Sequence, residues 1–218
     1  MNAQSTRVVV LISGSGSNLQ AIIDACESKQ LPITLCAVIS NKPNAGGLMR
    51  AQKHGIPHHV IEHRNFESRD AFDAELANTI DQYSPDLVVL AGFMRILTAQ
   101  FTRHYHGRML NIHPSLLPKY QGLNTHQRAL DAGDKIHGVT VHFVTEELDG
   151  GPLVIQASIP VEAGDTAERL AARVLVEEHR IYPQAILWFA EGRLRMHDGK
   201  ALLDNKPIIQ KQSELKNN

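Results

Sequence analysis

The stretch Asn111-Ile112-His113-Pro114 sets a neutral amide and an imidazole two positions apart. On an extended segment, side chains at i and i+2 share a face, so Asn111 and His113 point the same way. Pro114 biases His113 away from helical geometry. An amide N–H can donate to a developing oxyanion, and an imidazole can deliver a proton or a charged hydrogen bond. The pair is therefore equipped for a reaction that builds negative charge on oxygen. From spacing alone, a hydrogen-bonded loop pair accounts for the two residues equally well.

Two other segments carry chemistry. Gly14-Ser15-Gly16-Ser17-Asn18 joins a β-branched run to a helical pattern, so its N–H groups and the helix dipole converge on a place suited to a phosphate. It falls short of the dinucleotide fingerprint: Leu19 stands where a third glycine belongs, and Ser40 and Asn41 stand where the second strand should end in an acid. A nicotinamide cofactor is disfavoured. The acidic turn Glu146-Glu147-Leu148-Asp149-Gly150-Gly151-Pro152 has glycines that let Asp149 be presented from a tight backbone. Turn acids are commonly only solvated, but a carboxylate beside an imidazole orients the ring and favours its protonated form. Spacing leaves open whether Asp149 and His113 meet.

The elements that must position these groups follow a βαβ rhythm. Residues 7–13 read as a strand, with Leu19, Ile22, Ile23 and Cys26 at helical spacing after it. A second strand is expected over 33–40, a short helix over 45–54 and a third strand over 58–61. Ser68 is placed to cap a helix carrying Phe72, Leu76, Ile80 and Tyr83, and Pro85 opens a strand over 86–91. Strands over 108–112, 138–144 and 153–159 follow, the last two pairing antiparallel, with a short helix over 125–131. Asp165 and Glu168 suggest a capping-box start to a long helix through Leu170, Val174, Ile181 and Trp188, bent at Pro183 and stopped by Gly192. A small hairpin is expected over 202–209. The fold class is α/β: an open, mostly parallel twisted sheet with helices on both faces and an antiparallel strand pair near the C-terminal part. Such sheets bind ligands at strand carboxyl ends.

Composition bounds the alternatives. The 218 residues are 43% hydrophobic and 21% charged, with net charge −1, which is ordinary for a globular chain. No basic stripe of the kind that nucleic acid requires is present, and no apolar run is long enough for a membrane span, which points to the cytoplasm. Cys26 and Cys36 read as buried hydrophobes. His54, His58, His59 and His63 straddle Pro57 with no completing Cys or carboxylate pattern, so no metal is expected.

Taken together, Ile12-Ser13-Gly14-Ser15-Gly16-Ser17-Asn18-Leu19, Leu90-Ala91-Gly92-Phe93-Met94-Arg95-Ile96-Leu97, Asn111 to Pro118 and Glu147-Leu148-Asp149-Gly150-Gly151-Pro152 resemble the folate-dependent phosphoribosylglycinamide formyltransferases of bacterial type. The resemblance runs from about Arg7 to Arg195. It implies a Rossmann-like formyltransferase fold and transfer of the formyl group of 10-formyltetrahydrofolate, as co-substrate, to the glycine amine of glycinamide ribonucleotide in purine synthesis. Neither metal nor covalent enzyme intermediate is implied. By the same resemblance, Asn111, His113 and Asp149 are catalytic, and Gly16, Ser17, Asn18 and Glu178 hold the ribonucleotide. Arg69, Met94, Arg95, Ile96, Leu97, Asn111 and the loop Thr145, Glu146, Glu147, Leu148 and Asp149 hold the folate.

The loop Tyr120-Gln121-Gly122-Leu123-Asn124-Thr125-His126 departs from the family's frequent Pro and His at the positions of Gln121 and Asn124. Rival readings are a formyltetrahydrofolate hydrolase, a methionyl-tRNA formyltransferase and a non-catalytic nucleotide- or folate-binding module. Chain length argues against the first two, which need an added regulatory or basic domain. Expected partners are small-molecule substrates, with no nucleic acid or membrane, in a monomer or homodimer. One domain is expected over 1–210, nucleotide-binding over about 1–105 and folate-binding and catalytic over about 106–210, followed by a mobile tail over 211–218.

Overall fold

The computed structural model describes residues 5–209; the expected tail over 211–218 lies outside them. The chain begins β1 (Thr6–Ile12), α1 (Ser17–Glu27), β2 (Ile33–Ser40), α2 (Gly46–Lys53) and β3 (His58–Val60), followed by a single 3-10 turn (His63–Asn65). It continues α3 (Arg69–Asp81), β4 (Leu87–Leu90), α4 (Ala99–His104), β5 (Met109–His113), α5 (Thr125–Asp131), β6 (Ile136–Phe143), β7 (Leu153–Pro160) and α6 (Ala167–Ala190). Three short strands close it: β8 (Leu194–His197), β9 (Lys200–Leu203) and β10 (Lys206–Pro207).

The seven-stranded sheet has the order β3-β2-β1-β4-β5-β6-β7. Pairs from β3 to β5 are parallel; β5 with β6 and β6 with β7 are antiparallel. The central strands are apolar throughout because both faces are covered. Val8, Val10 and Ile12 point into one core with α1 and α6, whereas Val9 and Leu11 point into a second with Phe72, Leu76 and Ile80 of α3 and Phe101 of α4. From β1 the connections run outward to β2 and across to β4, so strand order reverses there and a crevice opens at the carboxyl ends. Within α6, the hydroxyl of buried Tyr182 lies 2.8 Å from the Leu90 carbonyl and 3.1 Å from that of Leu110. The helix is thereby pinned to β4 and β5.

Local signals mostly held. Ser68 caps α3 by accepting from the Ala71 N–H at 3.1 Å. The start of α6 differs from expectation: Thr166 is the cap, accepting from the Arg169 N–H, while Asp165 accepts from the Glu162 N–H and pairs with Arg173. A hydroxyl one residue later wins because the Asp165 carboxylate is already engaged. Pro183 stands inside α6, which continues to Ala190, and Gly192 turns the chain at φ 70°. The small hairpin is in fact a three-stranded antiparallel sheet, β10-β9-β8, whose first strand was too short to signal its alternation. The helix α4 was not expected either; Thr98 caps it, and the Thr98 N–H donates to buried Asp73 of α3 at 2.6 Å.

The first βα turn is shaped by glycine. Gly16 is left-handed at φ 74°, and a Cβ there would stand 2.5 Å from the Gly47 Cα at the start of α2. Gly55 is also left-handed, at φ 66°, but a Cβ there meets nothing within 4 Å. Gly55→Ala should cost about 1 kcal/mol from backbone strain alone, and Gly16→Ala about 3 kcal/mol because the two helix starts must part. Urea unfolding of both variants measures the difference; equal losses would show that the close approach is unimportant.

Candidate active site

Antiparallel pairing of β5 with β6 sets Asn111 opposite His142 and His113 opposite Thr140. Leu110 and Ile112 point into the core beneath α6, so Asn111 and His113 face the other side of the sheet. There the loop after β5 and the loop from Thr145 to Gly151 fold over them. Asp149 is left-handed at φ 50°, as the tight turn expected for it requires. Its side chain is 8% exposed, with Oδ2 3.4 Å from His113 Nδ1. The same oxygen accepts from the Gly122 N–H at 2.9 Å. His113, 6% exposed, has its Nε2 2.8 Å from the Tyr120 carbonyl. Both ring nitrogens thus face acceptors, and only the protonated ring has a donor for each.

His142, which sequence reasoning missed, completes the group. Buried in β6, it has Nδ1 2.8 Å from the Phe143 carbonyl and Nε2 3.1 Å from Asn111 Nδ2. Burial holds its pKa down against the Phe143 carbonyl and Asp149, so the ring is neutral. A neutral ring with Nδ1–H on Phe143 leaves Nε2 as acceptor, which fixes the Asn111 amide with one N–H on His142 and one N–H free. The signal was present: His142 alternates with Thr140 along a strand, but only the β5–β6 register places it opposite Asn111.

The glycine turn leads directly into α1. Gly16 precedes α1 and no side chain caps that helix, so its first N–H groups remain for a ligand. Asn18 Nδ2 donates to Glu178 Oε2 at 2.7 Å, while Asn18 Oδ1 is buried without a partner among the described residues. Two residues far apart in sequence and assigned to one substrate are therefore in contact. Burial raises the Glu178 pKa, opposed by the Asn18 bond. Ser17 is half-buried at the helix start.

The segment after β4 is held by its backbone: the Met94 N–H donates to Ser13 Oγ at 2.7 Å. Met94 and Ile96 are 63% and 54% exposed, and Leu97 packs on the core. Arg95 lies over the Phe72 ring at 5.7 Å, its buried Nε without a partner among the described residues. Arg69 is exposed at the first position of α3. In the acidic loop Leu148 is half exposed, Thr145 is half-buried and Glu147 exposed. Glu146 is turned instead to Arg103 of α4 in a bidentate pair at 2.6 and 2.9 Å, and that guanidinium lowers its pKa. The four clustered histidines disperse: His54 reaches Glu27, His59 reaches Tyr83 and His63 reaches Asn41. No group of three or more His, Cys, Asp or Glu suited to a metal occurs among the described residues, and no helix there is long and apolar enough to cross a membrane.

An open, mainly parallel sheet with an Asn-His-Asp group beside its switch point defines an α/β enzyme of the group-transfer kind. The family model described as "Formyl transferase" matches residues 6–186, and the chain belongs to that family. It is 59% identical over 201 residues to the phosphoribosylglycinamide formyltransferase of Escherichia coli K12, covering 92% of this chain and 95% of the relative. Among solved structures, the phosphoribosylglycinamide formyltransferase of Coxiella burnetii superimposes with a TM-score of 0.91 at 55% identity, over 94% of this chain and 97% of that one. A formyltetrahydrofolate deformylase from Pseudomonas syringae superimposes at 0.85 with 30% identity, over 92% of this chain and 66% of that one.

Behind the site, His126 Nδ1 lies 3.1 Å from His137 Nε2, and His137 is 1% exposed. Burial, then the His126 charge, lowers the His137 pKa to about 4, opposed by the Asp134 carboxylate and the Pro114 carbonyl. A folded-state pKa below the unfolded value of about 6.5 means the unfolded chain takes up the proton first. The stability is therefore present above about pH 6.5 and is lost as pH falls toward 4. Between pH 7 and pH 5 the loss from this group is about 2 kcal/mol. Unfolding free energies from urea titrations at the two pH values should differ by that much less in His137→Gln than in the parent chain. At the other histidine, His142→Phe frees the Asn111 amide to rotate and should lower kcat about tenfold with little change in KM for either substrate. An unchanged kcat would show that Asn111 needs no such support.

Proposed function

We propose that this chain moves the formyl group of 10-formyltetrahydrofolate to the glycine amine of N1-(5-phospho-D-ribosyl)glycinamide, giving the formylated ribonucleotide and tetrahydrofolate. The observation that carries the reading is the meeting of Asn111, His113 and Asp149, whose 3.4 Å His113–Asp149 approach could not be inferred from spacing. The ribonucleotide phosphate would rest on the N–H groups at Gly16, Ser17 and Asn18, with Glu178 toward the ribose hydroxyls. The folate would lie along Met94, Arg95, Ile96 and Leu97 under the loop from Thr145 to Asp149, with Arg69 toward its glutamyl end. Exposed Met94, Ile96 and Leu148 are the apolar surfaces such a ring system would cover. Glu146, tied to Arg103, would contribute backbone rather than carboxylate.

In the reaction the amine nitrogen bonds to the formyl carbon, and the carbonyl electron pair moves to oxygen. The free Asn111 N–H and the His113 Nε2–H, now resting on the Tyr120 carbonyl, would receive that oxyanion; Nδ1 stays with Asp149. The intermediate collapses as the carbon–N10 bond breaks, and the amine proton passes to N10 through a water ordered by Asp149. The chain would act in the cytoplasm as one domain, a nucleotide-binding half followed by a folate-binding half, on small molecules alone.

Mixing the protein with 10-formyltetrahydrofolate, with and without glycinamide ribonucleotide, and following folate absorbance tests the reading. Turnover that depends on the amine supports transfer; turnover without it supports the deformylase activity named for one structural relative; no turnover leaves a binding module. His113→Ala and Asp149→Asn should each lower kcat by about 10² to 10⁴ while KM changes little. Near-parental kcat in either variant would sink the assignment.

A further inference from the structure

The turn between β1 and α1 can present its N–H groups because its carbonyls are engaged elsewhere. In a trans peptide the C=O and N–H share a plane and point opposite ways, so holding one aims the other. The Gly14 carbonyl accepts from the Gly47 N–H at 3.1 Å, which turns the Ser15 N–H away from α2. The Ser15 carbonyl accepts from Arg50 Nε at 2.9 Å, which turns the Gly16 N–H the same way. The Gly16 carbonyl accepts from the Gln20 N–H at 2.9 Å as α1 begins, so the Ser17 N–H points back out of that helix. Among the described residues none of these three N–H groups donates to a protein acceptor. Successive N–H groups turned in this way form an anion-binding concavity. Asn18, 8% exposed on the same turn, keeps its Oδ1 without a partner among the described residues, an acceptor left for a ligand hydroxyl.

Two of those carbonyls are held by α2, a helix that the ribonucleotide reading leaves without a role. It begins with Gly46 and Gly47, and a Cβ at either would crowd the turn, 3.3 Å from the Ser15 oxygen or 3.2 Å from the Gly16 Cα. Half-buried Arg50 follows one turn later, and among the described residues it is the one cation hydrogen-bonded to the turn. Its Nη1 donates to Gln20 Oε1 at 3.1 Å, so the guanidinium bridges the turn and α1. Among the described residues no carboxylate comes within ion-pair distance of it; both of its partners are neutral. The charge is felt as far as α6. Burial lowers the pKa of His179, the neighbour of Glu178, and Arg50 adds to that lowering against the Asp24 carboxylate.

We propose that Arg50 is a positioning residue of the ribonucleotide site: it locks the Ser15–Gly16 peptide so that the Gly16 N–H meets the phosphate, and it sets an unpaired positive charge beside that anion. The inference rests on the ribonucleotide reading above and deepens it. A phosphate monoester carries about −1.5 to −2 charges at neutral pH, whereas a helix N-terminus offers about half a positive charge. A cation tied only to neutral partners adds to that attraction without giving up an ion pair.

The test is steady-state kinetics of Arg50→Met, which keeps an aliphatic stem and loses donor and charge, beside Arg50→Lys, which keeps the charge and a donor for the Ser15 carbonyl. In Arg50→Met the KM for glycinamide ribonucleotide should rise about tenfold, the scale of one charge-assisted hydrogen bond. Its kcat and its KM for 10-formyltetrahydrofolate should stay within about twofold of the parent, the split expected when binding alone is lost. Ribose 5-phosphate, used as a competitive inhibitor, should weaken by the same factor as the ribonucleotide. Arg50→Lys should recover at least about half of the loss on a logarithmic scale, since one carbonyl needs only one donor. A ribonucleotide KM or an inhibitor affinity unmoved in Arg50→Met, an equal rise in both KM values, or a lysine variant as weak as the methionine one overturns the role of Arg50 while leaving formyl transfer intact. A parent chain that neither saturates with glycinamide ribonucleotide nor is inhibited by ribose 5-phosphate overturns the ribonucleotide reading itself.

Discussion

The candidate site depends on one buried carboxylate. Asp149 is held in a left-handed turn with its side chain only 8% exposed, and a charge so placed is costly unless donors meet it. They come from the loop that covers the site, whose Gly122 N–H meets Oδ2, and from the end of β5, where His113 Nδ1 faces the same oxygen. The arrangement couples three pieces of chain that share no secondary structure. The carboxylate fixes the ring, and the ring fixes the loop by its contact with the Tyr120 carbonyl. Loosening any one of them exposes the other two to water, and a hydrogen-bond donor aimed at an oxyanion loses its strength when water competes.

The two histidines of this group are given different hydrogen-bonding roles by their surroundings. His113 meets an acceptor at each nitrogen. His142 meets an acceptor at one nitrogen and a donor at the other, and burial keeps it uncharged. The difference lets one ring serve as a donor while its neighbour acts as a fixed acceptor that orients an amide. Asp149 Oδ1 is 3.7 Å from His142 Nε2, beyond hydrogen-bond reach, so the carboxylate does not hold a proton on that nitrogen, which stays the acceptor for Asn111.

Much of this was legible in the sequence, for identifiable reasons. Strands such as β1 and β2 announced themselves because both faces are buried, which forces continuous apolar runs. The glycine turn was legible because only glycine tolerates the approach of Gly16 to Gly47. Asn111, His113 and Asp149 were legible as residue types in motifs, but their contact was not, since it depends on how the loop after β6 returns over the sheet. His142 escaped notice because its partner is set by an antiparallel register, and a register is a property of two strands. The cap of α6 was misplaced by one residue because Asp165 and Thr166 are both able caps, and only the Arg173 pair decides between them.

The contrast between the two faces of the sheet explains why the chemistry sits where it does. Under α1 and α6 the strands bury Leu110, Ile112, Val139, Val141 and Phe143, a packed surface that admits no polar group without a partner. On the other face the α3 and α4 core reaches β5 only at Met109, and beyond it loops replace helices over Asn111, His113, Thr140 and His142. Loops can supply carbonyls and N–H groups that a helix keeps for itself, as Tyr120 and Gly122 do here. Polar side chains are tolerated on that stretch of sheet because its cover is rich in unpaired backbone. The same opening gives substrates access to them. Placing the reactive group just beyond the reach of the helices therefore satisfies a folding constraint and a functional one with a single choice of topology.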